Sequence, residues 1–333
     1  MMDRRFFIAT SAAAFATATL APARAATQIT TQLQWIKDVQ NAAWWVADAK
    51  GYFRDEGLES NALAGGPNLS SVEAVVAAGR ADVGFDQLEK IIDANNAGED
   101  FVIFGALYQK NPAALLSLRA HPVRTARDIL GKRIGLQQGA HIYIDAIMRV
   151  NHLPPNYTEV VVGFDPQPLV EGACDAYLCF ITNQPFMLAQ RNIPSVTATF
   201  DELGYETYTD CLFCTRDYLT TNRDTLVRYV RALQRGWATN ARDPALAAHL
   251  AATVYGASLG LDEKHQLAVN RAQIPLMESA GTRAHGRMWI DTHRISGPIY
   301  TTLRATGRTK LPPVAQLVDL SILRDAVRPQ KAS

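Results

Sequence analysis

From residue 29 onward the chain alternates strand and helix patterns, and this alternation restricts it to few folds. Strand-length apolar runs at Ile29–Trp35, Leu58–Leu63, Val83–Phe85 and Val102–Leu107 are separated by helix-period stretches at Asn41–Lys50, Ser70–Ala78 and Gln87–Ala97, the last two closed by Gly79 and Gly98. Successive strand–helix–strand units imply a mainly parallel sheet with helices on both faces. The pattern pauses at Ala113–Leu118 and resumes after a polar link. Strands are expected at Arg133–Leu136, Glu159–Val162, Ala176–Phe180 and Ser195–Thr199, with helices at Tyr143–Val150, Gln167–Glu171 and Gln184–Gln190 between them. Asp210–Thr215 closes this second unit, and from Arg223 the chain reads as almost entirely helical.

With 333 residues and 48% hydrophobic content, the chain is long enough for two lobes with separate cores. The expected division is 26–114 plus 215–333 for lobe one and 115–214 for lobe two. The chain crosses between them at Ala113–Leu118 and Asp210–Thr215, which serve as hinges. A ligand then belongs in the cleft, at the carboxyl ends of the strands.

Residues 1–25 read as an export signal. Arg4-Arg5 precede a run of apolar and small residues from Phe6 to Leu20, and Ala23-Arg24-Ala25 is a small-x-small cleavage site. The arginine pair suggests the twin-arginine route, with general secretion as the alternative. The mature protein is expected in the periplasm after cleavage near Ala25. Removing three arginines and one aspartate with this segment turns a formal charge of +1 into −1, which gives no reason to expect nucleic acid as a partner. In a disulfide-permissive compartment the four cysteines still read as buried small hydrophobes. Cys211 and Cys214 lie three apart on a strand and face opposite sides, roughly 10 Å apart. Cys174 and Cys179 meet the same objection.

The seven histidines have no metal-site spacing, and neither a G-x-S-x-G elbow nor a phosphate-loop lysine is present. No catalytic set, metal or cofactor is therefore expected. Binding residues are easier to find. Asn68, Ser70 and Ser71 stand at one helix start, and Gln137, Gln138 and Gly139 at another, where free backbone N–H groups could hold a ligand. Simple capping competes with this reading at Ser70. Val-Gly-Phe-Asp occurs at 83–86 and again at 162–165. Asp165 precedes Pro166 and reads as a cap, whereas Asp86 is a candidate cleft carboxylate suited to an amine or aminopyrimidine. Asn183 and Gln184 mark a further strand-to-helix turn.

Trp35, Trp44 and Tyr108 are the candidate aromatic walls. Trp44 and Trp45 are adjacent on a helix and point about 100° apart. Trp45 follows the apolar stripe and is expected in the core. Trp44 follows Asn41 and Asp48 on the polar side and is expected at the cleft, so Trp44→Ala should weaken binding and spare the fold.

The segments LQW…AAWWVADAKGYFRDEGLE, GRADVGFD, YQKNPAALLSL, GKRIGLQQG, VVVGFDPQPLVEGACDAY, FITNQP and VRYVRALQRGWATNARDP together resemble substrate-binding proteins of ABC importers, over roughly residues 29–260. The resemblance is to the branch handling thiamine-pyrimidine precursors, riboflavin, aliphatic sulfonates, taurine or nitrate. It implies an α/β, two-lobed type II periplasmic binding-protein fold with a helical C-terminal region. It also implies a monomer that passes its ligand to a membrane permease and its ATPase.

Within the branch the chain looks most like the thiamine-pyrimidine type, which includes pyrimidine synthases. Of that type's D-W-x-P-N-x-x-H-A-G pattern, Trp35 is kept. Gln34 replaces the Asp, Asn41 the His and Ala43 the Gly. Cys211-Leu212-Phe213-Cys214 echoes the synthase cysteine motif. With the His replaced, the chain is expected to be a binder and not an enzyme. The expected ligand is planar and heteroaromatic, pyrimidine- or flavin-like, held by Trp35, Trp44, Ser70, Asp86, Tyr108, Gln138 and Asn183. The alternatives are a sulfonate-, taurine- or nitrate-type anion, or an exported pyrimidine-synthase-like enzyme.

Overall fold

A computed structural model describes residues 26–66 and 68–327. The expected export signal and its cleavage site lie outside the described residues. Ten strands form two sheets. β1 (Thr27–Gln32), β2 (Leu58–Leu63), β3 (Val83–Asp86), β4 (Phe101–Tyr108) and β10 (Thr209–Thr215) make the first, in the order β2-β1-β3-β10-β4. β5 (Ala113–Leu118), β6 (Arg133–Leu136), β7 (Thr158–Val161), β8 (Ala176–Phe180) and β9 (Ser195–Thr199) make the second, in the order β7-β6-β8-β5-β9. In each sheet one strand, β10 or β5, runs against the other four. The alternation read from the sequence therefore builds two lobes of the same plan, each with a strand inserted where the chain crosses between them.

The crossing points differ from those expected. β5 is bonded on both sides within the second sheet, and β10 on both sides within the first. A strand held on both edges within one sheet belongs to that lobe. The chain crosses instead at 109–112 and at 200–208. Residues 209–214, expected in lobe two, pair in the sheet of lobe one.

The core of lobe one is closed from outside by the C-terminal helices. Helix Arg223–Arg242 lies on helix Ala42–Ala49, close enough that Gly236 has no room for a side chain: a Cβ there would stand 2.2 Å from the Ala43 carbonyl oxygen. Tyr229 of the same helix places its hydroxyl 2.6 Å from Thr31 Oγ1 on β1. Farther on, helix Tyr300–Ala305 packs against helix His141–Val150 of lobe two, where Arg149 donates to the Ala305 carbonyl. All four cysteines are free and buried, as expected of small hydrophobes on packed strands.

Candidate functional site

Three strand ends, those of β3, β6 and β8, run into helix starts that face one another across the cleft. They enclose a cavity of about 220 Å³. Lobe one supplies Gln87 and Glu89, from the start of helix Leu88–Asn96, and Thr209 at the head of β10. Lobe two supplies Gln137, Tyr143, Phe164, Leu178, Cys179, Phe180 and Gln184. The two crossings add Asn111, Phe200, Tyr205 and Thr207.

Tyr143, Phe200 and Tyr205 form an aromatic corner, with ring centroids 5.6 to 6.3 Å apart. Among the described residues, three ring or hydrogen-bond contacts join the two sides of the cleft. Trp35 meets Phe164 edge to face at 5.3 Å, Tyr143 donates to Gln87 Oε1 at 3.3 Å, and His265 Nε2 lies 2.9 Å from Asn183 Oδ1.

The polar groups of the cavity are few and buried. Glu89 is 1% exposed. Burial lifts its carboxyl above the ordinary range, with Arg308 and Lys90 only partly opposing, while Thr207 Oγ1 donates to Oε2 at 3.1 Å. The Tyr205 hydroxyl and Thr209 Oγ1 are buried with no hydrogen-bond partner among the described residues. An unmet buried hydroxyl costs roughly 1–3 kcal/mol, and these two belong to residues that line the cavity. Among the sixteen lining residues none is Lys, Arg or His. A larger depression of about 500 Å³ lies elsewhere on lobe one, around Arg216, Trp289, His293 and Arg324. It has no residue from lobe two, and none of those unmet hydroxyls.

Several of the residues picked from sequence stand one position away from a side chain that lines this cavity. Asp86 ends β3, but its carboxylate is taken by the Gln87 N–H at 2.7 Å and by Lys90 at 3.1 Å. It is the next residue, Gln87, that lines the cavity. Gln138 is exposed, and Gln137 lines the cavity in its place, donating to the Gly163 and Leu178 carbonyls. Asn183 is exposed and bonded to His265, while Gln184 turns inward. Ser70 is exposed, one residue ahead of the true cap, Ser71, which accepts from the Ala74 N–H. Tyr108 is buried and donates to Gln273 at 2.9 Å.

Trp35 is half-buried at the cleft, reaching the cavity wall through Phe164. Gly65 holds it there. With its Cβ position 2.3 Å from the Leu33 carbonyl oxygen, only glycine lets residues 64–66 lie across 33–35 and donate to the Trp35 and Gln34 carbonyls.

Trp44 is not at the cleft. It is 2% exposed, edge-on to Phe85 at 4.5 Å and against Tyr229 at 5.6 Å. The face of its helix that reads as polar is covered by the rest of lobe one. Asn41, beside it, is likewise buried and donates to the Ile36 carbonyl at 3.2 Å. Glu89, Tyr143, Phe164, Phe200, Tyr205, Thr207 and Thr209 escaped the sequence reading. Only Phe164, within the repeated Val-Gly-Phe-Asp, carried a signal. Its twin Phe85 is in the core, whereas Phe164 is 52% exposed.

Beside the cleft, Asp210 holds a left-handed backbone, φ 52°, which Asp tolerates better than most residues. The Gln34 and Gln40 amides both donate to its carboxylate. Burial pushes Asp210 up to about 7 from its ordinary 3.8, and the charges of Asp86 and Asp38 push in the same direction. Below pH 3.8 the group is protonated both folded and unfolded. Between 3.8 and about 7 the unfolded chain loses the proton that the folded chain keeps, so stability falls as pH rises and levels off above about 7. Asp210→Asn should remove part of this slope, melting close to the parent at pH 4 and several degrees higher at pH 8. A ceiling of roughly 4 kcal/mol applies at 1.36 kcal/mol per pKa unit, and melting curves at the two pH values check it.

Two like-built α/β lobes, joined by two crossings around one lined cleft, define the type II periplasmic binding-protein fold. The chain belongs to the NMT1/THI5-like family, whose model matches residues 39–247. In structure it is similar to the periplasmic aliphatic sulphonate binding protein of Escherichia coli, with a TM-score of 0.66, 15% identity, and coverage of 88% of this chain and 91% of that one. It is also similar to the ligand binding component of an ABC-type import system from Staphylococcus aureus, with a TM-score of 0.65, 11% identity, and 91% and 100% coverage. At such identities the likeness shows the fold. Among the described residues no helix is long and apolar enough to cross a membrane.

In sequence, the chain is 24% identical over 225 residues to a 4-amino-5-hydroxymethyl-2-methylpyrimidine phosphate synthase of Legionella pneumophila, covering 65% of this chain and 70% of that protein. Relatives from Schizosaccharomyces pombe and Aspergillus parasiticus carry the same name. The expectation that the chain is not an enzyme is thereby overturned: these three relatives are enzymes. The replaced His at Asn41 does not carry the weight that expectation gave it.

Proposed function

We propose that this protein captures a small, flat nitrogen heterocycle in the cleft between its lobes, and delivers it as the periplasmic solute-binding component of an ABC importer. The observation that carries the reading is the cavity itself: aromatic on one side, lined from both lobes, with two buried hydroxyls that lack partners. Its volume, about 220 Å³, lies below the usual 300–1,000 Å³ of drug-sized sites, which favours a single ring over a flavin. Closure would turn on 109–112 and 200–208 and would seal the site through the contacts Trp35–Phe164, Tyr143–Gln87 and His265–Asn183. The closed form would then be the one recognised by a permease and its ATPase.

A thermal-shift panel of pyrimidines, flavins, taurine, alkanesulfonates and nitrate tests the reading. A true ligand at 100 times its Kd adds about 2.7 kcal/mol of stability. A shift with alkanesulfonates or nitrate and none with pyrimidines contradicts it.

The names of the curated relatives favour a second reading, in which the same cleft holds a pyrimidine for chemistry. Glu89 and Cys179 are the ionisable groups that its lining offers besides the tyrosines. Mass-spectrometric detection of any new pyrimidine product after incubation with candidate precursors would select this reading.

A further inference from the structure

The helical segment 292–305 lies along both crossings between the lobes. Its Ile295, Ile299 and Leu303 side chains are fully buried in the core of lobe one, which fixes the segment to that lobe. Arg294, next to Ile295, turns to the crossings. Its guanidinium donates from Nη1 to the Gln109 carbonyl at 2.8 Å, in the first crossing. From Nη2 it donates to Glu206 Oε2 at 2.9 Å, in the second. The same group lies 5.0 Å from the centroid of the Tyr208 ring, at the end of that crossing. One side chain therefore bonds both passages between the lobes.

The segment holds the second crossing at other points as well. The Glu206 N–H donates to Thr302 Oγ1 at 3.3 Å, and the Asp291 N–H to the Tyr208 hydroxyl at 3.0 Å. Between Arg294 and Thr302 the backbone leaves the helical region at Gly297 (φ −96°, ψ −105°), just before Pro298. Such a kink lets the two stretches take different directions. The later stretch reaches lobe two, where Arg149 donates to the Ala305 carbonyl. The Asn111 N–H also donates directly from the first crossing to Asp201 Oδ2 in the second, at a longer 3.4 Å. A hinge of two chain passages can open with both turning together or with each twisting alone. A charge-assisted link from one rigid guanidinium to both passages opposes the second way.

We propose that Arg294 is the clasp of the hinge: it couples the crossings at Gln109 and Glu206 so that they turn as one, and it favours the arrangement in which the lobes touch. If the lobes close about 109–112 and 200–208, as proposed above, Arg294 is a positioning residue that acts on closure without touching a ligand.

Double electron–electron resonance between two nitroxides, on the full chain without ligand, tests this. Lys264→Cys and Ala189→Cys put labels at exposed positions of helices Glu263–Gln273 and Gln184–Gln190. These helices meet across the cleft mouth at His265 and Asn183, and the four native cysteines are buried. Arg294→Ala should raise the share of long separations about tenfold over the parent, equal to about 1.4 kcal/mol. Arg294→Lys should fall between them, because an ammonium can keep Glu206 but lacks the fork that also reaches Gln109. Glu206→Gln keeps the side chain's shape, removes its charge and should raise the share about threefold. It reads the same contact with Arg294 in place. Arg133→Ala breaks an ion pair with Asp175 inside lobe two, and should leave the distribution unchanged whatever it does to the melting temperature.

The clasp is overturned if Arg294→Ala and Glu206→Gln keep the parent's distribution, or if Arg133→Ala shifts it as far as they do. Lys110→Gly combined with Pro112→Gly loosens the first crossing itself and separates this failure from that of the hinge. Long separations that rise with the two glycines but not with Arg294→Ala overturn the clasp alone. Separations that neither change moves overturn the crossings as the hinge.

Discussion

Trp44→Ala should destabilise lobe one by about 3–5 kcal/mol, the range for truncating a large aromatic in a packed core. The indole is enclosed by Phe85, Tyr229 and the helix Arg223–Arg242 that carries Tyr229. Removing it opens a void between β3 and that helix, and forfeits two ring contacts worth about 0.5–1.5 kcal/mol each beyond their area. Trp44→Phe keeps an aromatic at the position and should recover about half of the loss. Urea denaturation of the three proteins measures this directly. Were Trp44 a cleft wall, as its place on the helix suggests, Trp44→Ala would keep parental stability and lose only ligand.

Gly236→Ala should be destabilising although it sits mid-helix. On an exposed helix the same change would stabilise by about 0.8–1.0 kcal/mol, the difference in helix propensity. Here the added methyl would stand 2.2 Å from the Ala43 carbonyl oxygen and 3.2 Å from the Ala47 Cβ. Backbone cannot yield as a flexible side chain can, so helices Ala42–Ala49 and Arg223–Arg242 must separate. Overpacking of this kind costs about 1–3 kcal/mol, and the parting of two long contact faces puts this case at the upper end. The clash outweighs the propensity, and a lower denaturation midpoint is the result expected. A higher midpoint would mean that the two helices are not in contact.

These two positions also explain how far the sequence could be read. The strand–helix alternation is local, a matter of period and of turn residues, and it was legible almost throughout, down to the helix starts at Gln184 and after Gln138. Coverage of a surface by a distant segment is not local. Helix Ala42–Ala49 looks two-faced, but residues some 180 positions later pack over the side that carries Trp44, so both tryptophans are buried. Trp45 stacks on Tyr255 at 4.4 Å and donates its indole N–H to the Asp38 carbonyl.

The passages between the lobes lie outside the expected segments for the same reason. Nothing within Asp210–Thr215 says that its two neighbours are β3 and β4. At the cleft the limit was finer. Asp86, Gln138 and Asn183 each stand one residue away from a side chain that lines the cavity. The direction of a side chain at a strand-to-helix turn depends on which residue takes the cap, and that is settled by tertiary hydrogen bonds. Tyr205 and Thr207 lie on a crossing segment whose path has no periodicity to read, and Thr209 heads the strand that follows it.

The most direct test of the account is a crystal structure of the protein grown with a 4-amino-5-hydroxymethylpyrimidine. The account predicts a single flat molecule between the lobes, against Tyr143 and Phe180. A molecule seated instead in the outer depression beside Trp289 and Arg324, with the cleft empty, would contradict it.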